Sequence, residues 1–272
     1  MGKHRNISPE RHTFYSERSR QGLCNYFMTM NIYTYYGETQ HAQGQLELIE
    51  VWKKNWKSKG WNPRVIYKED AKKASIHDEY VDFVFRVHGR INKNNTFKDN
   101  TYAMEAQREI AAFTLIDEPS YISDYDVFNL NLSPNSSVEQ KVHWRDGLCT
   151  CFASGGASGW TEYIKWIFSS EDRILKGCKE EYAKSGRDCF HDQDFLVFAM
   201  KEIHDSHSPN VPVFMDGVPF YEYRNNQSPV SYEIKTNDSL TTHISHRACS
   251  VINKYNDLKP WDKRISLARE IL

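Results

Sequence analysis

Long apolar runs are missing from this 272-residue sequence, and none approaches the roughly 20 residues that a membrane helix needs. The first ten residues also lack the apolar stretch of a signal peptide. Cysteine is scarce, with six scattered residues, and Cys149-Thr-Cys151 has the wrong spacing for a zinc knuckle. We therefore expect a cytoplasmic protein with reduced thiols and no membrane span.

An excess of charge of one sign is also missing, because 35 basic residues face 36 acidic ones. Without a net positive field or a stripe of basic and aromatic residues, a nucleic-acid partner is not expected. Aromatic residues are abundant at 14% of the chain. Tyrosine and tryptophan stack on bases and sugars, but they also fill hydrophobic cores, so composition does not separate these uses.

The first part of the chain predicts strands that alternate with helices. Residues 1–20 are polar and aperiodic, which predicts a flexible arm. A buried strand is predicted over 25–35, a helix over 46–56 and a second strand over 62–67. This order predicts an α/β domain over 21–272, with a mixed, mainly parallel central sheet flanked by helices.

Two other stretches each allow two interpretations. The apolar segment Tyr80 to Val87 fits either a strand or a helix, and both remain open. The glycine-rich stretch Ser154 to Gly159 precedes a predicted helix, but it lacks the lysine of a P-loop and the spacing of a dinucleotide fingerprint. A structural turn is the favoured reading of these glycines.

A pair of carboxylates ends the most distinctive strand candidate, which runs from Ser120 to Asn129 and follows a predicted helix over 102–116. Asp124 and Asp126 are two positions apart, so in a regular strand their side chains share one face. Oxygen ligands in this arrangement suit Mg²⁺ or Mn²⁺. An isolated Asp-X-Asp is more often a solvated strand end, so its neighbours in the chain decide its meaning.

A second acidic cluster, His191-Asp-Gln-Asp194, precedes the apolar run Phe195 to Met200. An aspartate at a helix start is an ordinary cap, which accounts for one of the two carboxylates. The other, Asp192 or Asp194, is expected to face an active centre near the helix N-terminus.

A third cluster, Leu240 to His246, contains two histidines. Strand alternation places His243 and His246 on opposite faces, so only one of them is expected to join the two aspartates at a cation. Lys259-Pro-Trp261 follows a short way downstream.

Taken in order, these motifs resemble those of GT-A-fold glycosyltransferases, nearest to the glycogenin and lipopolysaccharide-galactosyltransferase type. The family pattern is an Asp-X-Asp, an Asp-Gln-Asp before a helix, and a His followed by Lys-Pro-Trp. The chain departs from it because no glycine lies between His243 and Lys259. Arg247 or Lys254 are therefore alternatives to Lys259 as the phosphate contact.

The resemblance implies a single GT-A-like, Rossmann-related domain that transfers a sugar from a nucleotide diphosphate sugar, by analogy a UDP-sugar. The acceptor is a hydroxyl of a glycan or another molecule, and a retaining reaction is favoured. Mn²⁺ or Mg²⁺ is the implied cofactor, and its ligands would be Asp124, Asp126 and His243. Asp126 is the favoured direct ligand, whereas Asp124 either contacts the ribose or reaches the cation through water.

The remaining site residues are assigned more loosely. Asp192 or Asp194 would face the sugar or the acceptor. Arg108, on the helix before the metal strand, would reach the donor or pair with Asp124, or is an ordinary surface arginine. The candidates for the nucleotide pocket, chosen by their place at predicted strand ends, are Tyr35, Tyr36 and Asp70.

Two other functions fit the same residues. One is a non-catalytic module that binds nucleotide sugars or carbohydrate. The other is a metal-dependent phosphoesterase, because paired aspartates and a histidine also build hydrolytic sites. A nuclease is disfavoured by the balanced charge.

Overall fold

The structure is a computed structural model that describes residues 29–92, 97, 100–134, 138–146, 149–201, 213–215, 241–244 and 254–272. The predicted N-terminal arm, residues 1–20, lies outside these ranges. No helix in the described ranges is long and apolar enough to cross a membrane.

The first two strands are joined by one helix, and three helices and the 3-10 turn Phe113–Leu115 lie between the second strand and the third. The strands are β1 (Asn31–Tyr36), β2 (Asn62–Tyr67), β3 (Ser120–Ser123), β4 (Val127–Asn129), β5 (Val142–Asp146), β6 (Cys149–Gly155), β7 (Val213–Met215) and β8 (Thr241–His243). The helices are α1 (Ala42–Ser58), α2 (Lys68–Ala71), α3 (His77–Ile91), α4 (Thr101–Ala112), α5 (Ala157–Ser169), α6 (Glu171–Ser185), α7 (Asp192–Met200) and α8 (Pro260–Arg269).

A six-stranded sheet forms the centre of the domain, in the order β2-β1-β3-β6-β5-β7. β1 pairs in parallel with β2 and β3, and β5 pairs in parallel with β7, whereas β6 runs antiparallel to β3 and β5. A separate two-stranded sheet joins β4 to β8. The predicted fold class, an α/β domain with a mixed, mainly parallel sheet flanked by helices, is confirmed, and it is consistent with a GT-A-like domain.

The predicted elements match the observed ones to different degrees. The second strand was predicted with its observed bounds, 62–67, because Gly60 and the charged Lys68 delimit it. Within the described residues the first strand begins at Asn31, and the predicted part 25–28 lies outside them. The ambiguous segment Tyr80 to Val87 lies inside helix α3, whose buried face includes Tyr80, Phe83, Val84 and Val87. Buried residues spaced three and four positions apart are typical of a helix, so the helix is the correct one of the two alternatives.

The predicted strand over 120–129 is broken at the acidic pair, which corrects the expectation of a regular strand there. β3 pairs with β6 and β4 pairs with β8, so the chain has to change sheets between Ser123 and Val127. A tight turn makes this change, in which the Val127 amide donates to the Asp124 carbonyl at 3.1 Å. A turn, not strand alternation, therefore brings the two aspartates together.

The glycine-rich stretch is where β6 ends and α5 begins, with Gly156 as the residue before the helix. A Cβ atom at Gly159 would lie 1.9 Å from the Gln140 carbonyl oxygen, so only glycine permits the close approach of these backbones. This steric requirement supports the interpretation of the glycine-rich stretch as a structural turn.

Two hydrophobic clusters cover opposite faces of the central sheet, since neighbouring residues of β3, Tyr121 and Ile122, belong to different clusters. Helix α1 lies in the cluster that borders the acidic turn. Its Trp52 indole donates to the Ser123 hydroxyl at 3.0 Å, and its Trp56 indole donates to the Val127 carbonyl at 3.0 Å. Both indoles are fully buried, so they fix the two ends of the turn that holds Asp124 and Asp126.

Candidate functional site

Three side chains with metal-ligating atoms meet where the acidic turn adjoins β8. One ligand atom from each of Asp124, Asp126 and His243 lies within 4.8 Å of the others. The pairing of Val127 with His243 in the small sheet sets this approach, because it aligns the end of the turn with the histidine. The amide of Ile244 also donates to the Asp126 carbonyl at 2.8 Å.

Asp126 is the most buried of the three, with 5% of its surface exposed. Its Oδ1 lies 3.2 Å from His243 Nε2, but no donor among the described residues forms a hydrogen bond to this oxygen. Its Oδ2 accepts a hydrogen bond from Arg264. A buried carboxylate oxygen without a hydrogen bond is costly, and a ligand that satisfies it would recover that cost.

Arg264, on α8, is a site residue that the sequence reasoning missed. It is 4% exposed, its Nε donates to the Ile244 carbonyl at 2.6 Å, and its guanidinium lies 5.0 Å from the centre of the Trp261 ring. Trp261 and Arg264 are three residues apart, so they neighbour each other on the helix. That spacing after Lys-Pro-Trp is the signal that could have identified Arg264.

The three possible ligands open onto a cavity of about 650 Å³ between the carboxyl ends of the parallel strands, α4, α7 and α8. Ligands of open α/β sheets commonly bind at this edge. Besides the metal candidates, the residues that line it include Tyr35, Gln45, Tyr102, Glu105, Glu109, Tyr125, Asp192 and Trp261.

The two aspartates of the second cluster take different positions at the start of α7. Asp194 accepts from the His191 backbone amide at 3.0 Å and pairs with Arg187, so it serves as the helix cap. Asp192 lines the cavity and is 8% exposed. This arrangement agrees with the expectation that helix capping accounts for just one of the two carboxylates.

His191, which also lines the cavity, lies between these carboxylates. Its Nδ1 is 3.6 Å from Asp192 and its Nε2 is 3.5 Å from Asp194. Burial lowers the pKa of His191, but the hydrogen bond and negative charge of Asp192, with the charge of Asp194, outweigh it and leave the pKa raised.

Tyr35 lines the cavity as part of a buried polar network on Glu105. Its hydroxyl donates to Glu105 Oε2 at 2.6 Å, and burial together with the negative charge of Glu105 raises the pKa of Tyr35. Lys68 Nζ and Arg108 Nη1 bind Glu105 Oε1 at 2.9 Å and 2.6 Å. Arg108 is thus part of the wall that supports Tyr35 and does not itself line the cavity.

Glu109, one turn further along α4, lines the cavity and was not predicted. Burial raises the pKa of its carboxyl well above the ordinary value, and the negative charges of Asp124 and Asp192 raise it further. Asp124 and Asp192 line the same cavity, so Glu109 shares it with the metal candidates and with the carboxylate of α7.

Several other predicted residues lie away from the cavity. Tyr36 packs edge-on against Tyr67, with ring centres 6.0 Å apart. Asp70 is paired with Lys73 at 2.6 Å. Lys259 is exposed as the residue before α8, and none of these three lines the cavity.

The alternatives to Lys259 and His243 are placed only in part. Lys254 pairs with Glu270 at 2.7 Å. Arg247 and His246 lie outside the described residues.

The donor set fits a hard divalent cation. Two carboxylates suit Mg²⁺ and Mn²⁺, and the neighbouring imidazole adds a ligand that Mn²⁺ accepts more readily. The Asp126 oxygen that lacks a hydrogen bond is positioned beside that imidazole. The group Asp124, Asp126 and His243 could therefore hold a metal ion.

No family model matches the chain, and no curated protein sequence matches it. Among solved structures, the chain is similar to one described as "PaToxG Glycosyltransferase", at 13% identity and a TM-score of 0.36. The overlap covers 67% of this chain and 72% of that one. A similarity of this extent does not by itself identify the function of the chain.

Proposed function

We propose that this protein is a metal-dependent glycosyltransferase that transfers a sugar from a nucleotide diphosphate sugar, a UDP-sugar in our proposal, to a hydroxyl of a glycan or another acceptor. The observation that carries the proposal is one cavity that combines three possible metal ligands with a separate carboxylate, Asp192, at a helix N-terminus. The first group suits a diphosphate with its cation, and the second suits a sugar or an acceptor hydroxyl.

The ligands Asp124, Asp126 and His243 would hold Mn²⁺ or Mg²⁺. When bound, such a cation neutralises the charge that develops on a departing diphosphate. Asp126 is our direct ligand, because one of its oxygens is held by Arg264 and the other is left beside His243. Asp124, on the more accessible side of the turn, contacts either the cation or the ribose.

The nucleotide would lie near Tyr35 and Tyr125, the middle residue of the acidic turn. Tyr125 is fixed by a hydrogen bond between its hydroxyl and Gln45 Nε2, 3.0 Å long. Arg264 replaces Lys259 in our assignment as the cationic residue nearest the diphosphate, because Arg264 lines the cavity and Lys259 does not.

Asp192 would face the reacting sugar. In the transfer, the acceptor oxygen forms a bond to the anomeric carbon, and the bond from that carbon to the diphosphate oxygen breaks. The electron pair leaves with the diphosphate, and the acceptor proton passes to a leaving oxygen or to Asp192. Asp194 is engaged in the capping box, so Asp192 is the aspartate of this cluster assigned to the sugar, and our preference for retention rests on the resemblance to the glycogenin type.

The test is the thermal stability of the protein with Mn²⁺ and a panel of nucleotide sugars. A UDP-sugar at about 100 times its Kd should raise Tm by about 5 °C, and only when Mn²⁺ is present. Asp126→Ala should abolish the metal-dependent part of this shift. The matched control is Asp82→Ala, which removes an exposed carboxylate on α3 and should keep the full shift.

Product analysis then separates the possible reactions. Slow hydrolysis by a glycosyltransferase releases UDP and free sugar, whereas a phosphoesterase releases UMP and sugar phosphate. An unchanged metal response in Asp126→Ala would contradict the site. Binding without turnover in the presence of acceptors would favour a non-catalytic module.

A further inference from the structure

Tyr102 is the most exposed large hydrophobic side chain of the described residues, with 64% of its surface accessible. It lies in the first turn of α4, where Asn100 caps the helix by accepting from the Ala103 amide at 3.0 Å. The backbone that carries this aromatic ring is therefore held in place, and the ring itself is accessible at the edge of the cavity.

Tyr102 lines the same cavity as Asp124, Asp126 and Asp192. Burial at the hydroxyl raises the pKa of Tyr102, and the negative charges of Asp124 and Asp192 raise it further. The hydroxyl thus lies within electrostatic reach of the metal candidates on one side and of the α7 carboxylate on the other.

The ring of Tyr102 is an apolar surface exposed to water beside a polar cavity. Such surfaces often bind ligands. A sugar ring complements such a surface, because its C–H face packs on an aromatic ring and its hydroxyls project from its edge. Hydrogen-bonding groups for those hydroxyls line the same cavity as Tyr102, namely Thr101, His191 and Gln193.

The burial of the cavity residues indicates which substrate, donor or acceptor, would contact Tyr102. Tyr35 and Asp126 are 4% and 5% exposed, so they form the inner wall, where a donor and its cation would be enclosed. The acceptor has to approach from the open side after the donor has bound. Tyr102, at the outer edge, is positioned for the acceptor.

We propose that Tyr102 binds the acceptor and that the acceptor is a glycoside, whose sugar ring stacks on the tyrosine with the reacting hydroxyl turned towards Asp192. This inference rests on the proposed function for its chemistry. An acceptor hydroxyl on a peptide side chain lacks the flat C–H face that the ring would recognise, so peptides should be poor acceptors.

The experiment measures transfer and donor hydrolysis separately, with methyl α- and β-glycosides of common hexoses as acceptors and serine- and threonine-containing peptides for comparison. Tyr102→Ala should lower the ratio of transfer to hydrolysis about tenfold, through a higher KM for the glycoside. Tyr102→Phe, which keeps the ring, should retain most of this ratio. Tyr182→Ala, an exposed tyrosine on α6, is the matched control and should behave like the native protein.

Saturation-transfer NMR with the same glycosides, in the presence of the diamagnetic ion Mg²⁺ and UDP, tests binding without any turnover. The native protein and Tyr182→Ala should saturate the sugar C–H protons, and Tyr102→Ala should not. Signals that survive in Tyr102→Ala, or transfer to peptides alone, would overturn the inference. If the native protein binds glycosides through Tyr102 but never cleaves a nucleotide sugar, the proposed function fails, and Tyr102 is a glycoside-binding residue but not an acceptor-binding one.

Discussion

At the scale of single residues, Asp126 determines the site because its two carboxylate oxygens have different partners. Oδ2 is taken by Arg264, and Oδ1 lies beside His243. Arg264 is itself held by the Ile244 carbonyl and by the face of Trp261. The guanidinium therefore fixes the orientation of the carboxylate, and it balances a buried negative charge when no cation is bound.

Replacing Arg264 should destabilise the protein strongly. In Arg264→Gln, a buried carboxylate loses its charged partner, so the free energy of unfolding should fall by about 3 kcal/mol in urea titrations. Mn²⁺ should restore part of this loss, because a bound cation supplies the missing positive charge.

Two controls accompany this measurement. Arg86→Gln breaks an ion pair with Glu171 in which Arg86 is 54% exposed, and it should cost less than about 1 kcal/mol. The double variant Asp126→Asn/Arg264→Gln should be more stable than Arg264→Gln alone. If both arginine variants lost the same free energy of unfolding, the buried ion pair would contribute no more to stability than the exposed one.

Glu109 should make stability depend on pH. Its pKa is raised in the folded protein, so the folded state keeps a proton that the unfolded chain releases above its ordinary value of 4.5. The native protein therefore loses stability as pH rises from that value through the raised pKa. Glu109→Gln has no such proton, so its advantage over the native protein should grow between pH 5 and pH 8.5 in metal-free urea titrations.

The control for Glu109 is Glu79→Gln, an exposed glutamate on α3, which should shift stability equally at every pH. A difference between Glu109→Gln and the native protein that stays constant with pH would argue that the carboxyl is ionised in the folded state.

At the scale of elements, the start of α7 shows how one short motif supports both structure and chemistry. Asp194 closes a capping box with His191, whereas Asp192 is buried in the cavity wall. The helix dipole stabilises negative charge at both positions, but only one of them faces the cavity.

The two aspartates should respond oppositely to substitution. Asp194→Ala removes the cap and should lower stability by about 1 kcal/mol, which is seen as a fall of a few degrees in Tm. Asp192→Asn should leave Tm nearly unchanged and lower the rate of donor turnover by about 100-fold or more. If Asp194→Ala reduced turnover as much as Asp192→Asn, our division of roles would be wrong.

The acidic turn shows what element patterns predict and what they do not. Residue types and flanking breaks predicted β2 and α4 closely, because both elements have clear local signals. The break after Ser123 has no local signal, since aromatic and β-branched residues continue through Asn129. It arises from pairing with β8, a strand more than 100 residues later, which no local pattern reveals.

At the scale of the whole molecule, the order of strands and helices in the sequence predicts the fold class. The motifs identify Asp124, Asp126, Asp192 and His243, which are four of the acidic and histidine residues that line the cavity. Among the residues chosen only by their place at strand ends, Tyr35 lines the cavity, whereas Tyr36 and Asp70 lie elsewhere. Arg264, Glu109 and Tyr102 belong to ordinary amphipathic helices in the sequence. Their positions at the cavity depend on how α4 and α8 pack, which is a tertiary property.

The pair of Asp126 and Arg264 joins positions 138 residues apart, and this separation bears on folding kinetics. Closing so long a loop has an entropic cost that is repaid only when most of the chain between its ends is ordered. Contacts of this kind are usually absent from the folding transition state, so interactions that strengthen them slow unfolding more than they speed folding. Saturating Mn²⁺ should accordingly lower the unfolding rate in stopped-flow denaturant jumps and leave the refolding rate almost unchanged; a faster refolding rate would mean that the metal site forms early. The bound cation would then dissociate slowly, because its release would require the loop between Asp126 and Arg264 to open.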